Sequence, residues 1–130
     1  YARSFIYTTA LPEHSLRAIS NAYLMLNKRE DAVSRLSYII ALFNKLVLAN
    51  GLRLCFRESE TAIQVCIIPK NEKVKKAARI LQEKGYDVRA ILSPTVSQGE
   101  ERLRVCLHSF NTEKEIEGLL QLLAKTLKEL

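Results

Sequence analysis

Apolar residues recur along the chain at helical spacing in four stretches, and as short runs or alternations in between. Leu16, Ile19, Tyr23 and Leu26 mark a first helix that opens near Pro12. Val33, Leu36, Ile40, Phe43 and Val47 fall on one stripe of a second, from Glu30 to Ala49, and Asn50-Gly51 supplies its stop signal. The two predict a helical hairpin. Ala62 to Ile68 is apolar and β-branched, the pattern of a mostly buried strand ended by Pro69. Asn71 is the expected cap of a third helix with Val74, Ala77, Ala78 and Leu81 inward, closed by Gly85. A strand is expected over Val88 to Ile91. Another follows from Arg102 to Leu107, with Leu103, Val105 and Leu107 on one side and Arg102, Arg104 and Cys106 on the other. Asn111 or Thr112 then caps a last helix, and Glu115 is placed to complete a capping box from Thr112. That helix should bury Ile116, Leu119, Leu120, Leu123 and Leu127. Phe5 to Thr9 alternates as a short strand or extended segment, and Gly51 to Thr61 follows neither period.

This order predicts an α+β fold, a small, largely antiparallel three-stranded sheet packed by about four helices. A free-standing ferredoxin-like or ACT-like module for ligand binding or dimerisation has the same order, and element order alone leaves both open.

Composition narrows the class. A chain of 130 residues with 48% hydrophobic and 26% charged residues is sized for one ordinary globular domain. Its longest apolar candidate, Ser37 to Val47, is interrupted by Asn44 and Lys45 and falls short of the ~20 residues expected of a membrane span. No signal-peptide pattern opens the chain, and Tyr1 in place of methionine suggests an excised piece. Cys55, Cys66 and Cys106 form no CxxC pair and read as small buried hydrophobes in a reducing cytoplasm. The two histidines, His14 and His108, have no second ligand at metal-site spacing, so no metal is expected. The net charge of +6 gathers around Lys70, Lys73, Lys75, Lys76, Arg79 and Lys84. Such a stripe is a solvated helix face or an attractor for nucleic acid or a nucleotide-bearing cofactor. No aromatic residue interleaves with it, so nucleic acid is not expected.

The chemistry on offer is sparse. Arg102 and Arg104 share a strand face, where two guanidinium forks mean either a solvated surface or a waiting carboxylate or phosphate. No nucleophile-base-orienter set and no glycine-rich phosphate loop is present, so the residues alone do not describe an enzyme.

The run from Ser93 to Asn111, with Pro94-Thr95-Val96, Gly99 and Arg102-Leu103-Arg104, resembles the C-terminal part of the α-oxoamine synthases. These are pyridoxal-phosphate enzymes of fold type I. A second match, Ala2 to Pro12, lies at family spacing from the first, so the resemblance covers the whole chain. It implies that residues 12–130 are the small C-terminal α+β domain and 1–11 the tail end of its connection to the large domain. That large domain would hold the Schiff-base lysine, the acid paired with the pyridinium nitrogen and the ring-stacking histidine, so this piece alone is expected to be inactive. The implied activity condenses an amino acid with an acyl-CoA, losing CO2 and CoA, on pyridoxal 5'-phosphate. L-Alanine with pimeloyl-CoA is the preferred pair, and glycine C-acetyltransferase, 5-aminolevulinate synthase and serine palmitoyltransferase are the sister activities. The resemblance makes Thr8 and Thr9 donors to the cofactor phosphate of the neighbouring subunit in a cytoplasmic homodimer; read alone, they are a pair of β-formers. It makes Thr95 a substrate contact and Arg104 the grip on the amino-acid carboxylate, while Arg102 faces solvent or an acid such as Glu100 or Glu101. Leu92-Ser93 departs from the arginine-proline that many relatives carry, and Ser97 stands where proline is usual. The acyl chain is therefore not fixed by these residues.

Overall fold

The computed structural model describes residues 11–28 and 30–130. The extended segment expected at Phe5 to Thr9 lies outside the described residues. The elements are α1 (Glu13–Asn27), α2 (Glu30–Ala49), β1 (Ile63–Ile67), α3 (Asn71–Glu83), β2 (Arg89–Ile91), β3 (Arg102–Cys106) and α4 (Glu113–Lys128). The chain divides into two compact units between Val33 and Ser34.

In the first unit, α1 follows Pro12, and Glu13 in its first turn suits the positive end of the helix dipole. The expected inward stripe of α1 is not inward, because the helix buries no residue at all. Leu16, Ile19, Tyr23 and Leu26 are all exposed.

The second unit carries the sheet. Its strand order is β1-β3-β2, with both pairings antiparallel. The two-residue period of β3 decides which side each residue takes. Leu103, Val105 and Leu107 are buried, and they share one core with Ile39, Phe43 and Val47 of α2, the stripe of α3, and Ile116, Leu119, Leu120 and Leu123 of α4. The opposite face presents Ile63, Val65 and Ile67 of β1, Arg89 and Ile91 of β2, and Arg102, Arg104 and Cys106 of β3, none of them buried. The sheet is thus covered on one side and open on the other.

Several expectations change. The buried face of α2 is Ile39, Phe43 and Val47, while Val33 is exposed and Leu36 and Ile40 are only partly covered. Phe43 and Val47 of the expected stripe do face the core, but Ile39 takes the fully buried place expected of Ile40, and Val33 at the start of the stripe is left exposed. Asp31–Ala49 is, by length and composition, apolar enough to span a bilayer, contrary to the sequence expectation, because the helix-long average absorbs Asn44 and Lys45. Phe43 in its middle nevertheless sits in the core of this unit. In α4, Thr126 is buried in place of Leu127 and donates to the Leu122 carbonyl at 2.9 Å. Gly118 admits Tyr86 onto α4, since a Cβ there would lie 2.5 Å from the tyrosine hydroxyl.

The core hinges on Phe43, fully buried with its ring edge-on to Phe56 at 5.4 Å and 74°. Phe43→Ala should lower stability by about 3–5 kcal/mol in urea unfolding. A loss under about 1 kcal/mol would mean that this ring is not part of the core.

Candidate functional site

β1 ends at Pro69, and the chain must turn sharply to enter α3. Lys70 makes that turn at φ 80°, a left-handed conformation that lysine rarely adopts, and it is the N-cap residue of α3 without offering a side-chain cap. The expected cap, Asn71, is instead the first helical residue. Its amide turns toward the loop after β2, donating from Nδ2 to the Ser93 carbonyl at 3.1 Å. Its Oδ1 accepts from the Ser93 amide at 2.9 Å. An asparagine that copies a peptide's donor-acceptor pair joins helix to loop as a strand would.

The far end of the same loop is held by Glu101, only 2% exposed. Its Oε2 accepts from the Lys70 amide at 3.0 Å and the Gly99 amide at 2.9 Å. Its backbone carbonyl accepts from the Ile68 amide at 2.9 Å. These donors, led by the Lys70 amide and then the residue's own, hold the Glu101 carboxyl below the usual carboxylate range against the opposing effect of burial. The segment Ser93–Glu101, which carries Thr95, is thus pinned at both ends to the start of α3.

Glu100 faces the other way. Its carboxylate accepts from Arg57 and pairs with Arg102 at 3.5 Å, and Arg102 Nε also donates to the Glu100 carbonyl at 2.8 Å. Arg102 is therefore engaged and largely covered, with 19% of its side chain exposed. Arg104, two residues on, is exposed and makes no hydrogen bond or ion pair among the described residues. Two arginines on one strand face have opposite situations, one spent and one available.

Arg104 lines a groove of about 790 Å³ bordered by the turn from Lys84 to Arg89, the end of β3 and the start of α4. Arg89, its cross-strand partner, lines the same groove, as do His108 and Phe110, whose rings stack at 4.8 Å and 15°. Thr95 is exposed on its turn and does not line this groove, so the structure does not bring it into one cavity with Arg104. Thr8 and Thr9 lie outside the described residues. The sequence reading gave Asn71 a capping role and Glu101 only a place among the acids that Arg102 could face, so it missed what each of them holds. It did not single out Arg89 at all. The basic run along α3 is a solvated face, every one of its lysines exposed.

No protein-family model matches the chain. The 8-amino-7-oxononanoate synthase of Emericella nidulans is 41% identical over 139 residues, covering 100% of this chain and 32% of that enzyme. The crystal structure of the 8-amino-7-oxononanoate synthase of Francisella tularensis aligns at a TM-score of 0.80 and 30% identity, covering 99% of this chain and 37% of that one. The chain belongs to the α-oxoamine synthase family. It spans about a third of the length of the curated relatives it matches (32% of the first). A serine palmitoyltransferase from S. paucimobilis carrying a bound PLP–myriocin aldimine aligns at a TM-score of 0.78 with 19% identity, which shows the fold alone, over 98% of this chain and 32% of that one. The α+β expectation of three antiparallel strands and four helices holds in this member of the family. The 1-3-2 sheet order would equally suit a free-standing regulatory module, so the sequence matches, not the topology, decide the family.

The clamp has a pH signature. A carboxyl whose folded pKa is depressed contributes stability that is fully present above its unfolded value of about 4.3 and is lost as pH falls through the folded value. Glu101→Gln keeps one acceptor but loses the charge and brings an NH2 against two amide donors. Its Tm at pH 7 should fall by roughly 5–10 °C, and the gap to wild type should narrow on acidification below about pH 4. A gap that stays constant down to pH 2.5 in thermal melts would remove the carboxylate from this role.

Proposed function

We propose that this chain is the C-terminal domain of a pyridoxal-phosphate-dependent, decarboxylating acyl-CoA:amino acid C-acyltransferase. The pair of substrates is L-alanine and pimeloyl-CoA, the 8-amino-7-oxononanoate synthase reaction. The observation that carries the reading is the free guanidinium of Arg104 beside an engaged Arg102, in a chain 41% identical to a synthase of that name. In this reaction the amino acid gives up its carboxyl group as CO2. A bond forms between its α-carbon and the acyl carbon, the acyl carbon–sulfur bond breaks, and CoA leaves as the thiol.

The domain's part is to bind and orient. Arg104 offers the fork that fits the amino-acid carboxylate, and the strand that carries it is held in register by Glu101. Thr95 supplies a hydroxyl to the substrate from a loop fixed at both ends, and the cleft that joins it to Arg104 is completed by the large domain. Leu92 packs against the core, so the departure from the family's arginine at that position leaves the open face to other cations.

Pyridoxal phosphate serves such chemistry as the electron sink. The described residues do not fit the cofactor itself: every lysine among them is exposed, and none sits in the enclosed setting that an attachment lysine needs. On this reading the cofactor's ring and attachment belong to the large domain. Residues 1–11 belong with that domain too, where Thr8 and Thr9 donate to the cofactor phosphate of the other subunit of a cytoplasmic homodimer.

Steady-state kinetics on the longer protein that carries this domain test the assignment. Lysine keeps the charge of arginine but not its fork. With a charged hydrogen bond worth roughly 1.5–3 kcal/mol, Arg104→Lys should raise the alanine KM about ten- to a hundredfold. Arg102→Lys should leave that KM within about twofold. The reverse ranking, with Arg102→Lys the damaging change, would defeat the proposal.

A further inference from the structure

The turn that carries Thr95 is short and closed on itself. The Val96 amide donates to the Leu92 carbonyl at 3.2 Å, with Ser93, Pro94 and Thr95 looped out between them. Leu92 packs against the core and Ser93 is half-buried, while Pro94 and Thr95 are exposed. The Thr95 hydroxyl makes no hydrogen bond among the described residues. Its own side chain does not fix it, so its place is set by the backbone beneath it. A second turn follows at once, closed by the Glu100 amide on the Ser97 carbonyl at 3.0 Å.

The two ties to the start of α3 fall on different turns. Glu101 holds Gly99, which lies in the second turn, beyond Thr95. Asn71 holds Ser93, which lies in the same turn as Thr95. It grips both backbone groups of that one residue, donating to the carbonyl at 3.1 Å and accepting from the amide at 2.9 Å. One hydrogen bond leaves a pivot; two from one planar amide fix an orientation. Among side chains that short, asparagine alone carries a fixed carbonyl acceptor beside an NH2 donor, and a proline at position 93 would offer it no N–H. The grip starts from a firm base, because α3 buries Val74, Ala77, Ala78 and Leu81 directly after it.

We infer that Asn71 is a positioning residue for the transferase reaction, fixing through the Ser93 peptide the turn that presents the Thr95 hydroxyl. Glu101 holds the neighbouring turn and cannot replace it. The inference rests on the transferase reading above, in which Thr95 meets the substrate. Asn71 itself touches no substrate. A hydroxyl contributes to rate in proportion to how well it is held in reach of its partner, and small misplacements are costly.

Two measurements test it, the first without turnover. In the 130-residue chain, NMR compares wild type with Asn71→Ala. The Thr95 amide should lose order, and hydrogen exchange at the Ser93 and Val96 amides should quicken about tenfold. The Lys70 and Gly99 amides, held by Glu101, should keep their wild-type behaviour, which also shows that the variant folds. Unchanged Ser93 and Val96 amides, or an equal loss at all of these positions, would overturn the inference. The second is a double-mutant cycle in the longer protein. Thr95→Val and Asn71→Ala should each lower kcat/KM about three- to tenfold, and the double variant should match Thr95→Val within about twofold. Losses that multiply would overturn the inference while leaving the role of Thr95 intact. A Thr95→Val variant with wild-type kcat/KM would remove the substrate role of Thr95 itself, and the inference with it.

Discussion

One carboxylate oxygen organises the functional half of this domain. Glu101 Oε2 accepts two backbone amides from segments far apart in sequence, Lys70 before α3 and Gly99 in the loop after β2. Backbone amides in a covered turn need an acceptor, and a carboxylate meets that need more strongly than a neutral group. The left-handed Lys70 persists because its surroundings determine it, and Glu101 is the chief of those surroundings. Without this contact α3 would lose its entry turn, and the loop would lose one of its two anchors.

The consequence runs along β3. With Glu101 facing inward as the first member of the strand's buried series, Leu103, Val105 and Leu107 follow it into the core, and the even-numbered residues must face out. A slip of one residue would bury Arg102 and Arg104 together, at a cost no nearby acid could offset. Glu100 then distinguishes the two outward arginines. It lies next to Arg102 and out of reach of Arg104, so one guanidinium is held against the protein and the other is left for a ligand. Fold stability and site chemistry are thus set by two adjacent glutamates, one turned in and one turned out.

What could be read in the sequence depended on how local each feature was. The alternation of β3, the stripe of α3 and the Thr112–Glu115 capping box need only neighbours within one or two turns, and each is present as expected. The phase of α2 was misjudged because Ile39 and Ile40 are equally apolar, and only tertiary packing chooses between them. Asn71 was taken for a helix cap because asparagine before a helix usually is one; its true partner, Ser93, lies 22 residues away. Arg89 went unnoticed for the same reason, since its position opposite Arg104 follows from a strand register that no single stretch of sequence contains. Family resemblance supplied Thr95 and Arg104 as candidates, while the geometry adds why Arg104, rather than Arg102, is available.

The central claim is that a single ionised Glu101 carboxylate holds both Lys70 and Gly99. It is tested most directly by following the backbone amide signals of those two residues through an NMR pH titration. Both should report one shared transition, below the ordinary glutamate value of about 4.3, and both transitions should vanish in Glu101→Gln. Two separate transitions, or a shared one at or above the ordinary value, would contradict the account.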